Sequence, residues 1–193
     1  CDPPAGPTQP PHLFATHGPA AKDSWVCRDA GGKPVCRDGE LFLNPAIPQV
    51  QAHAREIVLE LARTYSDLDG LYITKVEYPT PEAGRNPVAL GRYHERGNPN
   101  LDYWDDWRRN QLTGFMIDLF AQVRSLRPAL ALAVSVPGLY SRSRFEGNPG
   151  IPSGFHDRLV DSKAWVEADA VDFVVPRLSD IIRAGAPSYR EAV

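Results

Sequence analysis

The feature that most constrains the fold is a set of short segments that are apolar at nearly every position. They span residues 70–76, 131–136 and 171–175, and each follows a stretch with helical spacing of apolar residues. Strands that are apolar on both faces are typical of parallel sheets covered by helices. The order helix–strand, repeated three times, therefore predicts an α/β fold with a parallel sheet.

The helical segments are set by apolar periodicity and by proline. The first is predicted from Pro48 to Tyr65. Its apolar stripe consists of Val50, Ala54, Ile57, Val58 and Leu61. The others run from about Trp104 to Arg127 and from about Arg158 to Ala168, and a further helix is expected to begin near Ser179. Pro128 ends the second of them.

The connections between these segments differ in length according to their direction. Helix-to-strand links are short (66–69, 128–130 and 169–170), whereas strand-to-helix links reach about twenty residues or more, as in 77–103 and 137–157. All long loops therefore leave from the carboxyl ends of the strands, which is where (β/α)8 barrels build their active sites. No Gly-rich phosphate turn follows a strand, which disfavours a nucleotide-binding fold.

Chain length decides how much of a barrel to expect. A full barrel takes roughly 250 residues, whereas this chain has 193 and three clear strands. We expect a partial (β/α)8 TIM-type barrel over residues 12–193 that lacks strands at both ends, preceded by a Pro-rich loop or linker over residues 1–11. A smaller free-standing α/β domain is the competing interpretation.

Composition excludes several classes of partner. Basic and acidic residues number 21 and 24 and are well mixed, so a nucleic-acid surface is not expected. No apolar run reaches the roughly 18 residues of a transmembrane segment. Cys27 and Cys36 flank a predicted turn, which allows either a disulfide between them or two unpaired cysteines.

An ordered series of motifs resembles one family, the glycosyl-hydrolase-like family ten of bacterial cell-surface and secreted proteins. The matching segments, each weak alone, are His12–Phe14, Asp23–Val26, Gly32–Pro34, Leu43–Pro45, Asp69–Ile73, Tyr78–Pro79, Asp106–Arg109, Ser135–Gly138, Asp161–Trp165 and Val171–Pro176. Asp69–Ile73 is similar to the family's Asp-Gly-Ile-His-Leu strand, and Asp106–Arg109 reads Asp-Trp-Arg-Arg as in the family. The resemblance implies a bacterial, secreted or periplasmic barrel that acts on an extracellular or cell-wall polysaccharide or oligosaccharide without a cofactor.

The chain departs from the family where an acid is expected. Members carry Asp soon after the Asp-Gly-Ile-His-Leu strand, but here Thr74 and Lys75 follow it, and Glu77 stands where the family has Arg. Glycoside hydrolysis usually needs two carboxylates about the scissile bond, so Glu77 is the best catalytic candidate. Its alternative role is an ion pair with Lys75 or a nearby Arg. A second acid could be Glu82, Glu95, Asp102 or Glu146.

Aromatic and polar residues near the strand ends are candidates for substrate binding. Sugar rings can stack on aromatic side chains while polar groups hold the hydroxyls, so we assign this role to Tyr72, Thr74, Lys75, Trp104, Tyr140 and Arg177. The scattered histidines have no partner at metal-ligand spacing, so no metal site is predicted. Two functions stay open: a glycoside hydrolase, or a degenerate barrel that binds carbohydrate or protein without cleaving it.

Overall fold

The computed structural model describes residues 12–95, 103–141 and 151–178. The linker predicted over residues 1–11, the helix predicted from Ser179, and the candidate acids Asp102 and Glu146 lie outside these residues. The division into a linker and a barrel domain stays a prediction.

In the described part the chain forms a mixed α/β structure around a parallel sheet, which confirms the predicted class. The elements are α1 (Leu13–His17), β1 (Cys36–Arg37), β2 (Glu40–Leu41), α2 (Pro48–Thr64), β3 (Gly70–Ile73), α3 (Pro87–Tyr93), α4 (Trp104–Leu126), β4 (Ala131–Pro137), α5 (Ser162–Glu167) and β5 (Phe173–Arg177). The order β3-β4-β5 and both parallel pairings follow from the intervening helices, since parallel neighbours need a long crossover. These strands form an open sheet rather than a closed barrel.

One face of this sheet packs against the helices and builds the core. Leu132 and Val134 of β4 are fully buried there, in register with Leu71 and Ile73 of β3. They join a cluster that includes Phe120 of α4. Since side chains alternate along a strand, the residues between them must face the other way.

The opposite face of the sheet carries large exposed side chains at its two outer strands. Tyr72 is 56% exposed and Phe173 is 59% exposed, and both are in register with Ala133 of the central strand. Apolar side chains on the inward side of a barrel are normally buried by layers from other strands. This face is therefore open in the described residues.

Helix α2 buries only part of the apolar stripe that its sequence predicted. Val50 is buried and Val58 packs against the core, as predicted. Leu59 and Ala62 are buried, whereas Ile57 and Leu61 are exposed. The apolar surface of α2 is wider than the part that its described neighbours, mainly α4 and the sheet, can cover. Periodicity alone could not show which edge of this surface they would reach.

The long connections contain structure that the sequence prediction missed. Pro87 starts the short helix α3 inside the predicted loop 77–103, at a position where its missing N–H costs nothing. The helix predicted from Arg158 is two elements: a π-helical turn, Gly154–Arg158, and then α5 from Ser162. Leu159 separates them in a left-handed conformation (φ 54°).

The possible disulfide between Cys27 and Cys36 is wrong. Cys27 is a free, fully buried thiol that belongs to the core cluster, whereas Cys36 is disulfide-bonded. The predicted turn between them does form, because Arg28 and Pro34 pair in an antiparallel bridge. Because Cys27 is free and Cys36 is bonded, the disulfide between them and the alternative of two unpaired cysteines are both wrong.

Candidate functional site

The carboxyl ends of β3, β4 and β5 form one rim of the molecule, and α2, α4 and α5 begin at the same rim. This follows because the strands are parallel and the helix-to-strand links are short, so each helix returns the chain to the amino ends. The described loops 74–86 and 151–161 therefore lie at this rim. It is the rim at which α/β folds of this type place ligands.

Glu77 lies at this rim within an ion cluster. Its residue surface is only 3% exposed. The Nη2 group of Arg37 donates to Oε1 and that of Arg177 donates to Oε2, so each carboxylate oxygen is engaged by a different arginine. Arg177 also donates from Nη1 to the hydroxyl of Ser135 at 3.3 Å. The structure thus brings Glu77 and Arg177 together, as two predicted site residues at strand ends.

Sequence reasoning missed Arg37, which completes this cluster. Arg37 lies forty residues before Glu77, in the hairpin formed by β1 and β2. Its other guanidinium nitrogen donates to the carbonyl of Pro79 at 3.0 Å, and its guanidinium carbon lies 4.5 Å from the ring centroid of Phe42. Arg37 lies two residues before Gly39 in a short hairpin, and no local sequence pattern there indicates that it would bind Glu77.

The same hairpin contacts Lys75, which pairs with Glu40 rather than with Glu77. Lys75 adopts a left-handed conformation (φ 59°), which is costly for a residue with a side chain. Thr74 and Lys75 line a cavity of about 640 Å³ together with apolar residues of α2 and α4. The two residues that replace the expected acid therefore face a mostly apolar cavity beside β3.

Two consecutive arginines of α4 hold the rim loops in place. Arg108 is fully buried and donates to the carbonyls of Pro81, at 2.6 Å, and Ala83. Arg109 donates from Nε and Nη2 to the carbonyl of Phe155, at 3.1 and 3.0 Å. The first fixes the loop after β3, and the second fixes the loop after β4.

Each of these arginines also pairs with an aspartate one helical turn earlier. Arg108 donates to Asp105 at 2.5 Å, and Arg109 donates to Asp106. Burial lowers the pKa of Arg108, and the hydrogen bond that Arg108 donates to Asp105 opposes that effect. Because their terminal guanidinium nitrogens are committed to loop carbonyls and aspartates, both arginines hold the rim loops in place.

A buried tyrosine, Tyr78, packs against Arg108. The ring of Tyr78 is fully buried beneath the guanidinium of Arg108, at 5.3 Å, and next to Gly84. Burial raises the pKa of the Tyr78 phenol and that of the Cys27 thiol, and Arg108 partly offsets both shifts. Neither group is therefore a nucleophile at neutral pH.

The predicted aromatic residues occupy three different environments. Tyr72 is exposed on the open face of the sheet. Trp104 stacks on Trp107 with ring centroids 5.3 Å apart, so it is packed rather than free. Tyr140 donates from its hydroxyl to Asp161 at 2.9 Å, and Lys163 lies 4.5 Å from its ring centroid.

The other candidate acids do not join Glu77 in the described structure. Glu82 and Glu95 are exposed. Asp157 and Asp161, two rim acids that were not among the candidates, accept hydrogen bonds from Ser153 and Tyr140. Within the residues that the structure describes, no group of three His, Cys, Asp or Glu side chains is placed to hold a metal ion. No described helix is long and apolar enough to cross a membrane.

Comparison with known proteins agrees with the resemblance seen in the motifs. Residues 21–189 match the family described as "Glycosyl hydrolase-like 10". The chain is 20% identical to glycosyl hydrolase YngK of Bacillus subtilis over 78% of this chain and 30% of that protein. It is 26% identical to glycosyl hydrolase DigH of Escherichia coli K12 over 88% of this chain and 36% of that protein.

The chain thus spans about a third of the length of these curated relatives. The match to the family nevertheless covers most of the chain, including α2 to β5 and the rim loops between them. The predicted family is therefore confirmed, and the chain belongs to the glycosyl hydrolase-like 10 family.

Proposed function

We propose that this chain is a glycosidase-like domain that binds a polysaccharide or oligosaccharide at the rim, without cleaving it through Glu77. The observation that carries the proposal is the state of Glu77, whose two oxygens are both engaged by arginines in a buried cluster. A general acid or nucleophile needs a carboxylate oxygen directed at the substrate. Glu77 serves here to order Arg37 and Arg177.

The surroundings of the strand ends support binding. Arg177, Lys75 and Thr74 offer polar groups at the rim. Tyr72 offers exposed aromatic surface, and the rings of Trp104 and Tyr140 are partly exposed. Such a mixture is typical of sites that hold sugars by stacking and by hydrogen bonds to hydroxyls. We retain these residues as the proposed binding set.

Two observations support a proposed wider setting for the domain, a (β/α)8 barrel outside the cell or in its envelope. The open face with Tyr72 and Phe173 supports the assignment to part of a (β/α)8 barrel, since such a face is covered by other strands in a closed barrel. The disulfide at Cys36 supports an oxidising compartment, outside the cell or in its envelope.

Hydrolysis is the second candidate, and one observation favours it. The Arg177 side chain is 27% exposed, so a bound ligand could draw it away and free Oε2 of Glu77. The two candidates differ in their products. Only hydrolysis generates new reducing ends from a bound polysaccharide.

The test incubates the full chain with a panel of bacterial polysaccharides and measures retention and reducing ends in parallel. We expect retention of at least one polysaccharide with no increase in reducing ends over time. Reducing ends that accumulate with the unaltered chain but not with Glu77→Gln, checked to be folded, would refute the binding-only proposal. Absence of retention across the panel would refute carbohydrate binding itself.

A further inference from the structure

A second cavity lies at the rim, away from Glu77, between the start of α4 and the π-helical turn. Its volume is about 380 Å³, which is within the range of small-ligand sites. Its lining consists of Tyr103, Trp104, Asp105, Asp106, Arg109, Phe155 and His156. We propose that this cavity is a subsite for one uncharged hexopyranose unit of the bound glycan, an inference that rests on the proposed function.

Tyr103 supplies the stacking surface of this subsite. It is 66% exposed, although the residues that follow it are packed into α4. Its carbonyl accepts the first helical hydrogen bond, from the amide of Trp107 at 2.9 Å, so the backbone that carries the ring is fixed. An ordered, exposed aromatic ring binds the apolar face of a sugar with little loss of conformational entropy.

Asp106 supplies an acceptor for the sugar hydroxyls. Arg109 engages its Oδ1 atom, while about half of the side chain stays exposed beside the cavity. The carboxylate is thus held in one orientation and can still accept from a hydroxyl. A charged acceptor fixed in this way forms stronger hydrogen bonds than a neutral one.

The charge of the lining decides the class of sugar. The ionisable groups of the lining other than His156 are Asp105, Asp106 and Arg109. Asp105 is paired with Arg108 and Asp106 with Arg109, so the charge of each carboxylate is compensated. Arg109 is committed to Asp106 and, through two nitrogens, to the carbonyl of Phe155. No guanidinium of the described lining is therefore free to receive a sugar carboxylate, which would instead meet the half-exposed side chains of Asp105 and Asp106.

The opposite wall of the cavity is also held in place. His156 is tied by its backbone to the hydroxyl of Ser153 at 3.3 Å, and Phe155 is bonded through its amide to the carbonyl of Tyr140 at 2.8 Å. The ring of Phe155 lies 3.7 Å from the guanidinium carbon of Arg109. The cavity is thus preformed on both sides, which favours binding of a rigid ring.

The test is calorimetric titration of the full chain with three hexasaccharides: β-1,4-linked glucose, β-1,4-linked N-acetylglucosamine, and α-1,4-linked galacturonic acid. We expect a neutral hexamer to bind more tightly than the galacturonic acid hexamer. Tyr103→Ala and Asp106→Asn should each weaken that binding about tenfold, with circular dichroism confirming that both variants fold. Tyr65→Ala and Asp118→Asn are matched controls and should bind as the unaltered chain does.

Tyr65 matches Tyr103 in exposure and Asp118 matches Asp106 in ion pairing, but neither control lines the cavity. Tyr65 is 55% exposed at the end of α2, on the opposite rim, and Asp118 pairs with Arg55. Neutral-hexamer binding that Tyr103→Ala leaves unchanged would overturn the subsite and leave the proposed function standing. Preferred binding of the galacturonic acid hexamer that is lost in Tyr103→Ala would overturn the neutral class. Absence of binding by all three hexamers would overturn the subsite and count against the proposed function as well.

Discussion

Replacing Glu77 by glutamine tests whether the buried ion cluster is structural. Glutamine keeps the shape of the side chain and one accepting oxygen, but it removes the charge that Arg37 and Arg177 share. One of the two arginines would then face the amide nitrogen, which cannot accept its hydrogen bond. The variant is therefore expected to lower the free energy of unfolding.

The structure sets the size of this loss. Removing one partner of a fully buried ion pair costs about 3–5 kcal/mol. The Glu77 side chain is only 1% exposed, but those of Arg37 and Arg177 are 19% and 27% exposed. Water can therefore solvate part of the arginine charge that the variant leaves unpaired. We expect a loss of about 2–4 kcal/mol, which corresponds to a fall in Tm of roughly 5–15 °C for a chain of this size.

The measurement is urea unfolding followed by tryptophan fluorescence and circular dichroism. Glu40→Gln is the matched control, since Glu40 pairs with Lys75 where both side chains are about half exposed. That pair should contribute only about 0–1 kcal/mol. If Glu77→Gln unfolds within experimental error of Glu40→Gln, Glu77 does not organise the cluster, and its ion pairs no longer speak against a catalytic role.

Three further predictions concern single residues. Gly84→Ala should lose about 2–4 kcal/mol of stability in urea unfolding, because Gly84 has φ 99° and a Cβ there would lie 2.7 Å from the Tyr78 ring. Gly91→Ala, in open space on α3, is the control and should lose nothing. Cys27 should resist maleimide in the native protein and react in guanidinium, since burial raises its thiol pKa; rapid native labelling of Cys27 would contradict its placement in the core. Burial, and secondly the hydrogen bond to Asp161, raises the pKa of Tyr140 from its ordinary 10 to about 12. The fold therefore retains this proton longer than the unfolded chain does, so stability should fall as pH rises from 10 to 12. Tyr140→Phe should remove this part of the fall and the step in phenolate absorbance near pH 12, and an unchanged titration would show that Tyr140 is not the group responsible.

The sequence determined those features that depend on local patterns. Apolar segments and unequal loop lengths predicted three parallel strands with a common working rim, and β3, β4 and β5 form with those pairings. The family was also readable, because its motifs recur in order along the chain. Both kinds of signal lie within short stretches, so no knowledge of the path of the chain was needed.

The tertiary structure decided which side chains meet. Glu77 binds Arg37 and Arg177, which lie 40 and 100 residues away, and Arg108 and Arg109 bind loop carbonyls that carry no side-chain signature. A strand-end position places Glu77 at the rim, but the loops that fold over it determine its partners. Charge on a buried carboxylate must be compensated by whichever cations the fold brings near. For this reason Glu77, the best catalytic candidate of the sequence, is an ion-paired residue in the folded chain.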